Sequence, residues 1–340
     1  MRRDSMTGRL VLGFALATAG LAGCGKDGAD EFRDGVPQHE DVTLAVPGAD
    51  GQQSALVAGD GASAIHAGLL GERSDMYTLT RGITGIVNLG TVSVLTLVRT
   101  ITEYPPTAVM KDTAVWGPYT EPLSPNTWRL TVNRIARGQF HYVLEARAKA
   151  DPDTAFLTIL SGNHTQAVPG SHRREHLPAY GSGDFVLDWN AAQKLPEHDK
   201  NVGTAAFTYS RLSPTSDVNI GVTFTQVKDD DTGMLIDALY DYIATPGNGG
   251  TFDFKVTKNY ILTSPALEQM SVRSRWLETG AGRSDVMLSG GDLAATQATV
   301  NECWSASFAS VFMTNSYGDA AKMWGAETSC AFPTPMYSAL

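Results

Sequence analysis

Residues 127–148 read TWRLTVNRIARGQFHYVLEARA, and their spacing decides the fold. Trp128, Leu130 and Val132 alternate with Arg129, Thr131 and Asn133, and Phe140, Tyr142, Leu144 and Ala146 alternate with His141, Glu145 and Arg147. A pleated strand sends successive side chains to opposite faces, so each run has one apolar and one polar face. Ala136-Arg137-Gly138 joins the runs. A connection that short permits only an antiparallel hairpin.

The same period recurs downstream. Residues 155–162 form a third run, and a looser stretch at 163–183 follows. Phe185, Leu187 and Trp189 then share a face, as do Ala205, Phe207 and Tyr209. Val218, Ile220, Val222 and Phe224 alternate with Asn219, Gly221, Thr223 and Thr225. Ile236, Ala238, Tyr240 and Tyr242 oppose Asp237 and Asp241, and Phe252, Phe254 and Val256 oppose Asp253, Lys255 and Thr257. Met270, Val272 and Trp276, then Val286 and Leu288, continue the series, and Val300, Trp304, Ala306, Phe308 and Phe312 read as one last long strand. That makes about eleven strands over 127–316, each wet on one face. One wet face excludes an all-parallel sheet, and a sheet of this width curls or closes to shelter its edges. The expected fold is therefore mainly β: a strongly curved antiparallel meander, a half barrel or barrel.

Upstream the period changes. Leu79, Ile83, Ile86, Gly90, Val94, Leu97 and Ile101 recur at steps of three and four after Ser74 and Asp75, both good N-caps, and before Pro105-Pro106. This predicts one amphipathic helix over 74–103, packed against or inside the sheet. Its uncharged part, 82–98, is short and polar for a membrane span, so a core helix is the preferred reading.

Composition narrows the function. The chain has 340 residues, 42% apolar, with 26 basic and 36 acidic side chains and a net charge of −10. Nucleic-acid binding needs clustered Lys and Arg, so nucleic acid is excluded as a partner. Thirty-four threonines, one residue in ten, suit a pleated surface.

Arg2, Arg3 and Arg9 form a positive start, residues 10–21 an apolar and small-residue run, and Leu21-Ala22-Gly23-Cys24 closes it. This is the three-part build of a secretory signal. The closing four residues resemble the lipobox of bacterial lipoproteins. The resemblance covers about two dozen residues and implies cleavage before Cys24 and acylation of that cysteine. It implies a protein held by lipid chains on the envelope of a Gram-negative-type bacterium, each buried methylene contributing roughly 0.8 kcal/mol. Gly25, where an Asp would favour inner-membrane retention in enterobacterial relatives, points to the outer membrane, on its periplasmic or surface side. Residues 1–23 are thus expected to be a signal peptide. Residues 24–58 are expected to be a flexible acidic tether, because acids outnumber bases there and large apolar groups are few. Residues 59–340 are expected to be a single β-rich domain, with a tail from 317.

Cys303 and Cys330 remain. An exported chain matures in an oxidising compartment, where such a pair bonds. The closed loop of about 26 residues would contribute roughly 3 kcal/mol and pin the tail.

Residues 172–176 spell H-x-x-E-H, the inverted zinc-protease motif, in which two His one helical turn apart bind zinc and a Glu activates water. Pro169-Gly170 and Pro178 leave too little room for that helix between strands, so His172, Glu175 and His176 are read as a solvated basic loop. Asp229, Asp230, Asp231 and Gly233 are read as a hairpin tip, since the distal Glu of a calcium loop is absent. Asp237 and Asp241 are read as solvating charges on a wet face, His141 as surface, and His198-Asp199 as loop. Trp116-Gly117-Pro118-Tyr119 is read as a rigid aromatic turn between helix and sheet, and Trp304 and Trp324 as plugs near the disulfide. No nucleophile elbow or phosphate cradle is present, and no cofactor is called for.

The resulting expectation is a lipid-anchored, non-catalytic envelope protein. It would bind an apolar ligand such as a lipid tail, or a partner envelope protein. One alternative is a structural or adhesion spacer with a packed interior. A third is a zinc hydrolase built on His172, Glu175 and His176.

Overall fold

The computed structural model describes residues 29–37, 41–48, 69–169, 180–229, 233–260 and 265–340. Fifteen strands follow one another: Ala108–Val109 (β1), Thr113–Tyr119 (β2), Asn126–Ala136 (β3), Gln139–Ala148 (β4), Leu157–Gln166 (β5), Gly181–Asp188 (β6), Thr204–Arg211 (β7), Val218–Lys228 (β8), Leu235–Thr245 (β9), Gly249–Lys258 (β10), Glu268–Leu277 (β11), Gly282–Gly290 (β12), Gln297–Trp304 (β13), Ser310–Asn315 (β14) and Trp324–Gly325 (β15). All belong to one sheet whose spatial order is the chain order, with each neighbouring pair antiparallel. Short connections force this order, because a hairpin returns the chain only to the strand beside it. Among the described residues β1 pairs only with β2 and β15 only with β14, so the sheet is not closed.

The mainly β, antiparallel meander is as expected, but a barrel of eleven strands is not what forms. Four strands were hidden from the period. β1 and β15 have two residues each, too short to show alternation. The stretch read as an aromatic turn lies within β2, where the register against β3 shifts between Trp116 and Tyr119. The run read as one long last strand is a hairpin, β13 and β14. Its tip bonds through Ser305 N to Ala309 O and Phe308 N to Ser305 O, with Phe308 at φ 64°. Apolar groups continue through this tip, so hydrophobic spacing alone conceals the reversal.

The helix forms over Asp75–Glu103 (α2), following a single turn at Asp30–Arg33 (α1). Ser74 caps α2 by accepting from Tyr77 N, and Tyr104, before Pro105-Pro106, ends it in an extended conformation. Its buried side is broader than the apolar stripe and includes Thr80, Thr84, Asn88 and Thr102. The threonine hydroxyls satisfy themselves by donating back to Met76 O, Thr80 O and Arg99 O, so they enter the core without orphaned donors. No helix among the described residues is long and apolar enough to cross a membrane.

Residues 29–37 and 41–48 fall in the stretch read as a flexible acidic tether, and in the structure their apolar side chains join the core. Phe32, Val36, Val42, Leu44 and Val46 are buried. The segment runs antiparallel to α2. Arg33 Nε donates to Thr102 O at 2.8 Å, Leu44 N donates to Asn88 Oδ1 at 2.8 Å, and Tyr77 Oη donates to Pro47 O at 2.6 Å. Asn88 Nδ2 donates back to Leu44 O at 2.9 Å, so one side chain satisfies both backbone groups of Leu44. Two of the acids that suggested a tether meet cations: Asp30 pairs with Arg33, and Glu31 with Arg134 at 2.7 Å.

The apolar face of the sheet is buried from Trp116 on β2 to Trp304 on β13, in one core continuous with α2 and residues 29–37 and 41–48. Phe140 on β4, fully buried, meets Phe32 edge-on at 6.3 Å between ring centroids. Tyr242 on β9 donates to Ala45 O and accepts from Ala45 N. At Gly183 on β6 an added Cβ would lie 2.5 Å from Tyr209 Oη, so glycine there lets the tyrosine lie flat across the neighbouring strand.

Candidate functional site

Of the residues singled out in the sequence, Leu21-Ala22-Gly23-Cys24, His172, Glu175, His176, Asp230 and Asp231 lie outside the described residues. The bond between Cys303 and Cys330 is present, with Cα atoms 5.5 Å apart and a sequence separation of 27. It fastens the end of the chain to β13, beside Phe312 of β14. Cys303→Ser should lower unfolding stability by about 3 kcal/mol, because the denatured chain regains the freedom the loop removed. Guanidinium melts of the variant, and of the native chain with and without reductant, measure this; a shift below about 1 kcal/mol would contradict it.

The tail that follows is held to the polar face of β11–β13 by a buried charge cluster. Asp285, fully buried, accepts from Arg283 Nε at 2.6 Å, Arg275 Nη2 at 3.0 Å, Asn301 Nδ2 at 2.8 Å and Met336 N at 2.9 Å. Arg283 also donates to Glu327 Oε1 and Phe332 O, and Arg275 to Thr334 O. Two guanidinium groups on one carboxylate leave net positive charge, which Glu327 and the tail carbonyls offset. This arrangement fastens the tail to the sheet.

The other candidates are dispersed. His141 is paired with Asn163, and Asp237 accepts from Gln226 N. Asp241 faces Asp253 across β9 and β10. Burial, then the neighbouring Asp253 charge, raises the Asp241 carboxyl above its usual range. Burial also raises Asp253, with Ser338, Arg273 and Arg275 opposing. Asp229 N and O bond Met234 and Gly233 across a hairpin tip, and Asp229 pairs with Lys258. Trp324 Nε1 donates to Ser310 Oγ and Trp304 Nε1 to Gly280 O. Among the described residues no three His, Cys, Asp or Glu side chains are grouped to hold a metal.

Glu302 is a buried acid on the apolar face. Its Oε2 accepts from Met76 N at 2.8 Å, in the first turn of α2, where the helix dipole favours negative charge. Desolvation still raises its carboxyl, against hydrogen bonds from Ser310, Met76 and Ser74.

Two open concavities occur at the rim. One, about 340 Å³, includes Glu31, Asp112 and Arg134, whose guanidinium is matched by both carboxylates at 2.7 and 2.8 Å. The other, about 420 Å³, lies where the start of α2 meets the β13–β14 tip, and is lined by Gly48, Gly71, Arg73, Arg81, Ser307, Phe308 and Ala309. Its floor is aromatic: Tyr77 stacks on Phe308 at 4.4 Å with the planes 12° apart. Arg73 and Arg81 lie 5.3 and 5.8 Å from the Tyr77 ring centroid. Burial raises the Tyr77 phenol above its usual value, and the Arg81 and Arg73 charges and hydrogen bonds oppose that rise. Both cations therefore lie against one aromatic ring. No sequence motif marks this pair. The available signal was an Arg one residue before the Ser74 cap and another inside an apolar helical stripe.

By its fold the chain is an antiparallel β-meander protein with one long core helix and a disulfide-tied tail. Comparison with protein-family models, with curated proteins and with solved structures gave no match.

Proposed function

We propose that this chain is a lipid-anchored protein of a bacterial cell envelope, held by acyl chains on Cys24, which acts as a non-catalytic structural or partner-binding body. The lipobox-like Leu21-Ala22-Gly23-Cys24 supports the anchor. The observation that favours the packed-body alternative over a carrier of lipid tails is the burial of the sheet's apolar face. From Trp116 to Trp304 its large side chains already belong to one core with α2 and residues 29–37 and 41–48. In this reading helix and segment lie on the apolar side of a curving sheet and take the volume an acyl guest would need. The two rim concavities are lined mainly by polar or charged groups and backbone, unlike an acyl pocket.

Native mass spectrometry of protein purified from its own membranes tests both halves. The expected species carries the mass of an acylated cysteine at residue 24 and no further lipid. A second retained lipid would restore the carrier reading. Cys24→Ala, or globomycin treatment, should move the protein from the membrane to the soluble fraction; unchanged fractionation would overturn the anchor.

A further inference from the structure

Among the described residues three arginines are less than one-tenth exposed: Arg81, Arg275 and Arg283, at 8%, 8% and 0%. Arg275 and Arg283 share Asp285. Among the described residues Arg81 meets no carboxylate; its guanidinium lies over the Tyr77 ring, and the exposed Arg73 guanidinium is the second cation on that ring. A buried charge without a counter-charge is expensive, and a second like charge beside it raises the expense. Both arginines line the same concavity, together with Ser307. Phe308 holds its floor from a left-handed backbone conformation that a bulky residue rarely adopts, at φ 64°.

We propose that Arg73 and Arg81 bind a phosphate group in this cleft, either free or as the phosphomonoester of a larger molecule, a lipid headgroup included. Two guanidinium charges match a dianion, whereas one carboxylate would neutralise only half of them. Each guanidinium fork presents parallel N–H donors, and a phosphate offers enough oxygens to accept from both forks. Ser307 at the rim adds a hydroxyl within the same lining. The anion would sit above the Tyr77–Phe308 stack, whose Tyr77 Oη is held in place by donating to Pro47 O. The site stands whether or not the chain is lipidated.

The test uses the full-length chain carrying Cys24→Ala, so that no acyl chain contributes. In one arm inorganic phosphate is titrated against thermal stability at constant ionic strength set with chloride. In the other, the chain is sedimented with phosphatidylcholine vesicles with and without phosphatidic acid. Phosphate should raise the melting temperature in a saturable manner that chloride does not reproduce. Arg73→Gln, at an exposed position, should weaken this binding roughly tenfold or more without lowering the ligand-free melting temperature, since it removes a like charge beside Arg81. Arg81→Lys, which keeps charge but loses the fork, should weaken it as well. Sedimentation dependent on Arg73 and phosphatidic acid, without an effect of free phosphate, would assign the phosphate to a lipid headgroup. Absence of phosphate dependence in both arms, or binding unchanged by Arg73→Gln, overturns the proposal.

Discussion

Asp285→Ala is expected to destabilise the protein by about 3–5 kcal/mol, the largest loss open to a single polar substitution here. The carboxylate accepts from two arginines, an asparagine and a backbone amide, and Arg283 is fully buried beside it. Deleting it leaves that guanidinium with Glu327, a half-exposed acid, and removes the anchor of Met336 N. Urea denaturation should show a lower midpoint at unchanged slope, and hydrogen exchange should show the tail amides from 331 onward losing protection first. Arg283→Met combined with Asp285→Leu should cost much less, because no lone charge is then left buried. A loss below about 1 kcal/mol for Asp285→Ala would mean that water reaches the cluster and the tail is held by the disulfide alone.

Phe32→Ala should cost a similar amount, about 3–5 kcal/mol. Phe32 is 2% exposed and meets Phe140 edge-on, and three residues later an added Cβ on Gly35 would lie 2.5 Å from Phe140 Cγ. An aromatic ring removed from a site this close leaves a void that the surrounding strands cannot fill. The experiment separates two pictures of the N-terminal segment. A solvated tether would lose nothing measurable, whereas a packed segment would lower the denaturation midpoint of the whole domain. Phe140→Ala, on the other side of the contact, should be non-additive with it, since both substitutions delete one ring pair.

The strands most legible in the sequence were those with a clean period of two. β4 shows why: Phe140, Tyr142, Leu144 and Ala146 are all fully buried, and the residues between them are not. The helix was equally legible, since Ser74 and Pro105 punctuate it within two residues of its observed ends. The β13–β14 reversal was not, because Trp304, Phe308 and Phe312 keep apolar spacing across a turn made by serine hydroxyls and one left-handed residue. The N-terminal segment was misread because composition averages over it. Seven acids between residues 24 and 50 outvote Phe32, Val36, Val42, Leu44 and Val46, although those few apolar groups have a helix and a sheet to pack on. Asn88, a polar residue inside an apolar stripe, was the one clue, since an amide there needs a backbone partner. In the site the most conspicuous local motif, at residues 172–176, lay among the residues not described. Arg73 and Arg81 carried no motif and were brought together by the fold.

By itself, the sequence determined the antiparallel meander, the long helix with both its ends, and the cysteine pair. Each of these follows from neighbours along the chain or, for the cysteines, from the expectation that acylation takes up Cys24. Tertiary structure decided which charges are buried together, where the N-terminal segment lies and how many strands the sheet has. Those depend on which surfaces meet after the chain turns back: Asp285 and Met336, or Leu44 and Asn88, are distant along the chain and adjacent only when packed. Local periodicity reports the face a residue presents, and only the completed packing reports what that face touches.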